Sequence, residues 1–294
     1  MRLVLVTGAT GQLGQALARS SGTRSIHLAP RTELNFDHPA KITSFLQNLA
    51  PIAIVNTAAY TAVDKAETDR DAAIRANRDG PELLARHAAT VGIPFVHVST
   101  DYVFDGTKGA PYLETDPPNP TGVYGESKLA GETAIAAIGG KTIILRTAWV
   151  YAPWGKNFLR TMLAAGATNP KLRVVADQRG SPTFAPDLAD AIWAILDAID
   201  REGWRPEFGG IFHATGSGET TWHGFAAAIF EDAARHGGPN PAVEAIRTED
   251  WPTPARRPAD SRLDCEKLAR VFDVRLPSWR DALTRAVELV YANR

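Results

Sequence analysis

Tyr124 and Lys128 stand four residues apart in "VYGESKLAGE", residues 123–132, a stretch whose composition predicts a helix. Spacing of i and i+4 stacks both side chains on one helical face. In water a phenol titrates near ~10 and a lysine ammonium near ~10.4, so neither alone moves protons at neutral pH. An ammonium held beside the phenol favours the phenolate and lowers its pKa, which makes an acid/base pair. The same spacing also occurs on ordinary solvated helices, so the pair acquires meaning only from the elements that position it.

"VTGATGQLG" carries Gly8, Gly11 and Gly14 directly after the apolar run Leu3–Thr7, and it opens a helical pattern through Ala16 to Arg19. Glycines there let the backbone turn tightly and approach a pyrophosphate, whose charge sits on the helix N-terminus. Thr10, Gln12 and Leu13 belong to the same turn and are expected to share the cofactor site. The strand-then-helix setting makes dinucleotide binding the expectation, and the G-x-x-G-x-x-G spacing is similar to that of short-chain dehydrogenases/reductases. At the end of the second strand an acid would bond the 2′-hydroxyl of NAD, whereas an arginine would accommodate the 2′-phosphate of NADP. "LAPRTELNFD" offers Arg31, which favours NADPH, and Glu33, which keeps NADH open. Thr100 in "VSTDYVFDG" ends the fourth strand at the carboxyl edge of the sheet, where its hydroxyl can hydrogen-bond a substrate carbonyl.

The elements that must hold these residues alternate. "LVLVT", "SIHLA", "IAIVNTAA", "PFVHVST" and "TIILRTAWV" are apolar runs separated by helical patterns. Those patterns are "HPAKITSFLQNLA" with Asp37 and Pro39 at its start, about residues 71–91, and the Tyr124 helix. Continuous apolar strands between helices predict a parallel sheet covered on both faces, a doubly wound (Rossmann) α/β domain. After Val150, "GWRPEFGG", "GGPNPAV" and "WPTPARRP" are turn-rich connections. The amphipathic "APDLADAIWAILDAID" and the short strand "GIFHAT" are assigned back to the first domain. The expected organisation is a dinucleotide-binding domain over 1–150, with about 186–215 returning to it, and a smaller α/β substrate-binding lobe over 151–294.

With 294 residues, 44% hydrophobic and 22% charged, the composition is that of an ordinary globular protein. A net charge of −1 with interspersed signs argues against a nucleic-acid or membrane surface. Cys265 is the only cysteine, which excludes an intrachain disulfide or a thiolate metal cluster. The apolar run in "MRLVLVTG" is too short for a signal-peptide core, and no stretch approaches the ~18 apolar residues of a membrane span, so a cytoplasmic location is expected. His97 and His213 sit between apolar neighbours and read as strand histidines.

Taken together, "TGATGQLG", "NTAAYTAVDKAE", "STDYVFDG", "YGESKLAGE", "RTAWVY", "DQRGSPT" and "RPADSRL" make the chain resemble the dTDP-4-dehydrorhamnose reductase family, extended short-chain reductases, over essentially its full length. The resemblance implies that Thr100, Tyr124 and Lys128 form the catalytic trio. It implies that Asn35, Phe36, Ala58, Ala59, Tyr60 and Thr61 line the cofactor, and that Asp101, Tyr102 and Trp149 contact the nucleotide sugar. Two positions depart from the family: Asn35 stands where Asp is common, and Tyr60 where His is frequent. Arg257, with Arg256, either grips a diphosphate or solubilises a Pro-rich loop. The implied activity is NADPH-dependent reduction of a C4 ketone of a dTDP-sugar, by a monomer or homodimer. Another nucleotide-sugar 4-ketoreductase, or a non-catalytic subunit resembling the regulatory subunit of methionine adenosyltransferase, are the alternatives. Some family members are described with Mg²⁺ at a dimer contact; no acidic set for it is recognisable here, and no metal is expected.

Overall fold

The apolar runs form the strands their patterning predicts. In the computed structural model, which describes residues 3–292, the first half of the chain contains β1 (Leu3–Thr7), α1 (Gln12–Arg19), β2 (Ser25–Ala29), α2 (Pro39–Leu49), β3 (Ala53–Asn56), α3 (Val63–Ala66), α4 (Arg70–Ile74), α5 (Gly80–Val91), β4 (Phe95–Thr100), α6 (Val123–Ile138) and β5 (Thr142–Thr147). The five strands and Gly210–His213 make one parallel sheet, ordered β2-β1-β3-β4-β5 with Gly210–His213 beside β5.

Alternation along each strand divides the apolar side chains between two layers. Val4, Val6, Val55, Val96, Ile143 and Leu145 face α1 and the helix Ala185–Glu202. Leu5, Ile54, Phe95 and Ile144 face α2, α5 and α6. Because β1 feeds β2 on one side and β3 lies on its other side, the carboxyl ends of β1 and β3 border the crevice where such sheets receive ligands.

The helix expected over about 71–91 is interrupted. Arg75–Asp79 forms one π-helical turn between α4 and α5. Its Asn77 is fully buried: Oδ1 accepts from the Tyr60 N–H (2.8 Å), while Nδ2 donates to the Tyr60 carbonyl (3.1 Å) and to Ser127 Oγ (2.9 Å). One side chain thereby ties the loop after β3 to α6.

The helix α6 is seated by two further contacts. The Arg146 guanidinium of β5 donates to both Glu132 carboxylate oxygens (2.6–3.2 Å), and Ser99 donates to the same carboxylate. Gly131 lies directly on the π turn, where a Cβ would come within 2.0 Å of the Asn77 carbonyl oxygen.

Beyond residue 150, Tyr151, Leu159, Phe184, Phe225 and Leu283 centre a separate apolar cluster. In the tract that reads as turn-rich, Lys171–Val175 pairs in parallel with Ala242–Ile246. Lys171 and Arg173 are exposed and alternate with the more buried Leu172 and Val174, but the alternation spans too few residues to announce a strand. Gly131→Ala should cost at least about 1–3 kcal/mol, read from the urea midpoint at unchanged m-value, because the methyl meets backbone rather than a yielding side chain. Unchanged stability would show that α6 can lift from the π turn.

Candidate active site

The glycine turn is shaped by close backbone approach. Gly8 adopts φ +75°, and a Cβ on it would lie 2.8 Å from the Ala58 nitrogen. A Cβ on Gly14 would lie 2.3 Å from the Gly8 carbonyl oxygen, so α1 can begin directly beneath the turn. No side chain caps α1, which leaves the N–H groups of its first turn available to an anion. This cradle fits a dinucleotide diphosphate.

A cleft of about 950 Å³ runs from this turn along the carboxyl edge of the sheet. Gly8, Thr10, Gly11, Gln12 and Leu13 form one end; Arg31, Asn35, Phe36, Ala58, Ala59, Tyr60 and Thr61 form a side wall. Thr100, Asp101, Tyr102, Tyr124, Lys128 and Trp149 gather at the other end. Gly14 and Arg257 do not line it. Gly14 is buried under Gly8, and Arg257 is ion-paired with Asp64 at 2.9 Å, while Asp64 also accepts from the Ala255 N–H. That ion pair ties the "WPTPARRP" loop to α3, and the Arg257 charge also reaches Tyr102 at the cleft.

At the ribose end, Asp37 accepts from Arg31 (2.8 Å) and from Arg75 (3.1 Å), and hydrogen bonds from these two guanidiniums hold its carboxyl below the usual range. Glu33, the rival ribose reader, instead meets His27 Nε2 at 2.7 Å and lies off the cleft. Arg75 is unremarked by sequence reasoning because it comes forty-four positions after Arg31, and only the fold brings it to Asp37.

Tyr124 and Lys128 share the cleft, but their electrostatics differ from the expectation. Burial pushes the phenol up to about 12, with a hydrogen bond to Thr100 opposing and Asp101 adding to the rise. The Lys128 ammonium turns into the sheet, donating to the Val98 carbonyl (2.6 Å) with His97 Nε2 at 3.2 Å. Burial brings this amine down to about 8, opposed by Glu132. Desolvation thus dominates both groups. The Thr100 hydroxyl donates to Asp101 Oδ1 (3.1 Å) and accepts from the Tyr102 N–H (3.2 Å). Asp101 is itself pushed up to about 6 by burial, against hydrogen bonds from Ser261 and Thr100.

Trp149 is a non-glycine residue at φ +48°, stacked on Trp222 with centroids 3.6 Å apart. Gly180 makes room for it, since a Cβ there would lie 2.5 Å from the indole. Trp222, Asn157 and Thr147 line the cleft unforeseen. Thr147 Oγ1 is buried without a hydrogen-bond partner among the described residues. The sequence pointed to Trp149 alone; its stacking partner Trp222 lies 73 positions on. His97 and His213 are indeed fully buried strand histidines.

The doubly wound sheet, the glycine cradle and the Tyr124–Lys128 helix define an extended short-chain dehydrogenase/reductase scaffold. The model of the RmlD substrate binding domain family matches residues 1–292, and the chain belongs to that family, the dTDP-4-dehydrorhamnose reductases. It is 45% identical to a dTDP-4-dehydrorhamnose reductase of Sinorhizobium fredii, over 98% of this chain and 97% of the relative. A dTDP-4-dehydrorhamnose reductase crystal structure from Clostridium acetobutylicum superposes with a TM-score of 0.89 at 36% identity, covering 98% and 99% of the two chains. The corresponding Bacillus anthracis enzyme, solved in complex with NADP, has the same TM-score at 33% identity, over 98% and 99%.

Asp101 makes stability pH-dependent in a defined direction. Its folded pKa, about 6, lies above the ordinary aspartate value of 3.8, so the stability it contributes in protonated form is present below pH 4 and lost as pH rises through 6. Asp101→Asn should therefore gain in Tm relative to the native chain between pH 4 and pH 7, checked by thermal scans at both values. A pH-independent difference would place the carboxyl in a more solvated setting.

Proposed function

We propose that this chain reduces the C4 ketone of dTDP-4-dehydro-L-rhamnose to give dTDP-L-rhamnose, using NADPH. The observation that carries the reading is the convergence of Thr100, Tyr124 and Lys128 at one end of a cleft whose other end is the glycine cradle. Similarity to reductases of that name supplies the substrate. Residues 1–150 with 186–215 are taken as the cofactor-binding part, and 151–294 as the substrate lobe.

NADPH, when bound, supplies the hydride. The first-turn N–H groups of α1 would hold its diphosphate, with Arg31 and Arg75 at the 2′-phosphate. Tyr124 keeps its proton at neutral pH because its phenol is pushed up to about 12, and this makes it a donor ready for the far more basic alkoxide oxygen. Thr100 lies beside that phenol, and its hydrogen bond tempers the rise in the phenol's pKa, while its hydroxyl also donates to Asp101. Lys128 contributes positive charge at the cleft floor, where low dielectric strengthens it. Trp149 and Trp222 offer a flat wall for the nucleotide sugar. A complete proton donor in place speaks against a purely binding subunit.

Tyr124→Phe should lower kcat by roughly 10²–10⁴, with NADPH affinity nearly unchanged, measured as cofactor oxidation with dTDP-4-keto sugars and by cofactor titration. Near-full activity would remove the phenol from the mechanism. Arg31→Ala should weaken NADPH by about 1.5–3 kcal/mol and leave NADH nearly untouched, with Arg75→Ala acting in the same direction. Equal weakening of both cofactors by either change would sink the 2′-phosphate assignment.

A further inference from the structure

Behind Lys128 runs a row of buried polar side chains that this mechanism does not use. Lys128 of α6 and His97, Asn56 and Thr7 of the sheet are each at most 1% exposed, the last three in strands otherwise largely apolar. The row crosses three strands. His97 Nε2 of β4 lies 3.2 Å from Lys128 Nζ, and His97 Nδ1 lies 2.8 Å from Asn56 Nδ2 of β3. Asn56 Oδ1 accepts from the Thr7 hydroxyl of β1 (2.5 Å), and Thr7 Oγ1 accepts from the Ala58 N–H (3.2 Å). Both ends of the row, Lys128 and Ala58, face the cleft.

Buried polar atoms are costly unless each donor meets an acceptor, so the direction of every bond matters. Ala58 N–H donates to Thr7, Thr7 to Asn56 Oδ1, and the Asn56 amide to His97 Nδ1. A neutral imidazole has one proton, which must then sit on Nε2 and point at Lys128. That arrangement is complete only if Nζ is an amine that accepts with its lone pair. If Nζ is an ammonium it can only donate, so Nε2 must accept, Nδ1 must carry the proton, and Asn56 must present its amide oxygen. Asn56 then turns its Nδ2 to Thr7, whose hydroxyl accepts from Asn56 and donates elsewhere.

We propose that His97 is a positioning residue for Lys128, fixing the amine at the floor of the cleft and reversing its own hydrogen-bond polarity as that amine gains or loses its proton. The ring stays neutral in both states: burial and the adjacent Lys128 hold its pKa well below the ordinary histidine value. When Lys128 titrates, one proton leaves to solvent, and the ring keeps its single proton while moving it from Nδ1 to Nε2. The other groups facing Lys128 are Tyr124 and Glu132 of its own helix, the latter neutralised by Arg146 of β5, with Asp101 beyond Tyr124. Among the described residues, His97 contacts Nζ through a side chain that can be either donor or acceptor, while the Val98 carbonyl can only accept.

Nitrogen-15 NMR of the histidine-labelled native chain tests this without a substrate. The His97 ring should show the Nδ1–H tautomer below the Lys128 midpoint and the Nε2–H tautomer above it, never the doubly protonated form. One fixed tautomer from pH 6 to 9.5 would overturn the proposal. The kinetic arm rests on the reductase reading. His97→Phe keeps the ring's bulk and removes both nitrogens, so the alkaline limb of kcat should move down by about one pH unit as the ammonium loses an acceptor. His97→Gln, whose amide offers both donor and acceptor, should restore the native profile. A His97→Phe profile coinciding with the native one would equally overturn the proposal. Should that variant fail to fold, the native-chain spectra decide alone. Absence of reductase activity would count against the proposed reaction while leaving the spectral test intact.

Discussion

The bidentate closure of Arg146 on Glu132 is the contact on which the arrangement of the site depends. Both side chains are at most 3% exposed, so each charge has lost its hydration and must be satisfied inside the protein. Desolvation of such a pair costs several kcal/mol per ion, and only good geometry with additional hydrogen bonds offsets it. Ser99 supplies one such bond, and the Phe104 ring lies 5.0 Å from the guanidinium. Because Glu132 is on α6 and Arg146 on β5, the pair sets where α6 lies along the sheet. One turn earlier on the same helix, Lys128 is thereby placed over Val98, and Tyr124 over the end of β4.

Chemistry at the site then follows from burial more than from pairing. The i,i+4 spacing correctly brings Tyr124 and Lys128 to one cleft, yet it says nothing of where the ammonium turns. Two acceptors lie beneath it in β4, and the phenol is left to Thr100. The outcome is a protonated phenol beside an amine titrating near 8, a pair separated by environment rather than by type.

The sheet was legible because its strands are continuous apolar runs of the right length between helical patterns, and the glycine turn because its spacing has one geometric purpose. The cleft wall formed by Asn35, Phe36, Ala59 and Tyr60 came from family resemblance, since nothing in their types alone marks a cofactor. The π turn was hidden: Asn77 looks like any helical Asn until its loop and helix partners are known. Trp222 and Arg75 were hidden for the same reason, being brought to the cleft by tertiary contacts that span long sequence separations. Arg257 was read by its charge; its ion pair with Asp64, 193 positions away, was not legible.

The late arrival of the helix Ala185–Glu202 has a consequence for the growing chain. This helix covers the sheet face that carries Val4, Val6, Val55 and Val96, and it is made well after β5. A ribosome adding about 5–20 residues per second leaves that face uncovered for several seconds once the five strands exist. During that interval only α1 shields it, and an open parallel sheet invites association with other nascent chains. Translation speed between residues 150 and 200 thus bears on the yield of folded protein, independently of the stability of the finished molecule.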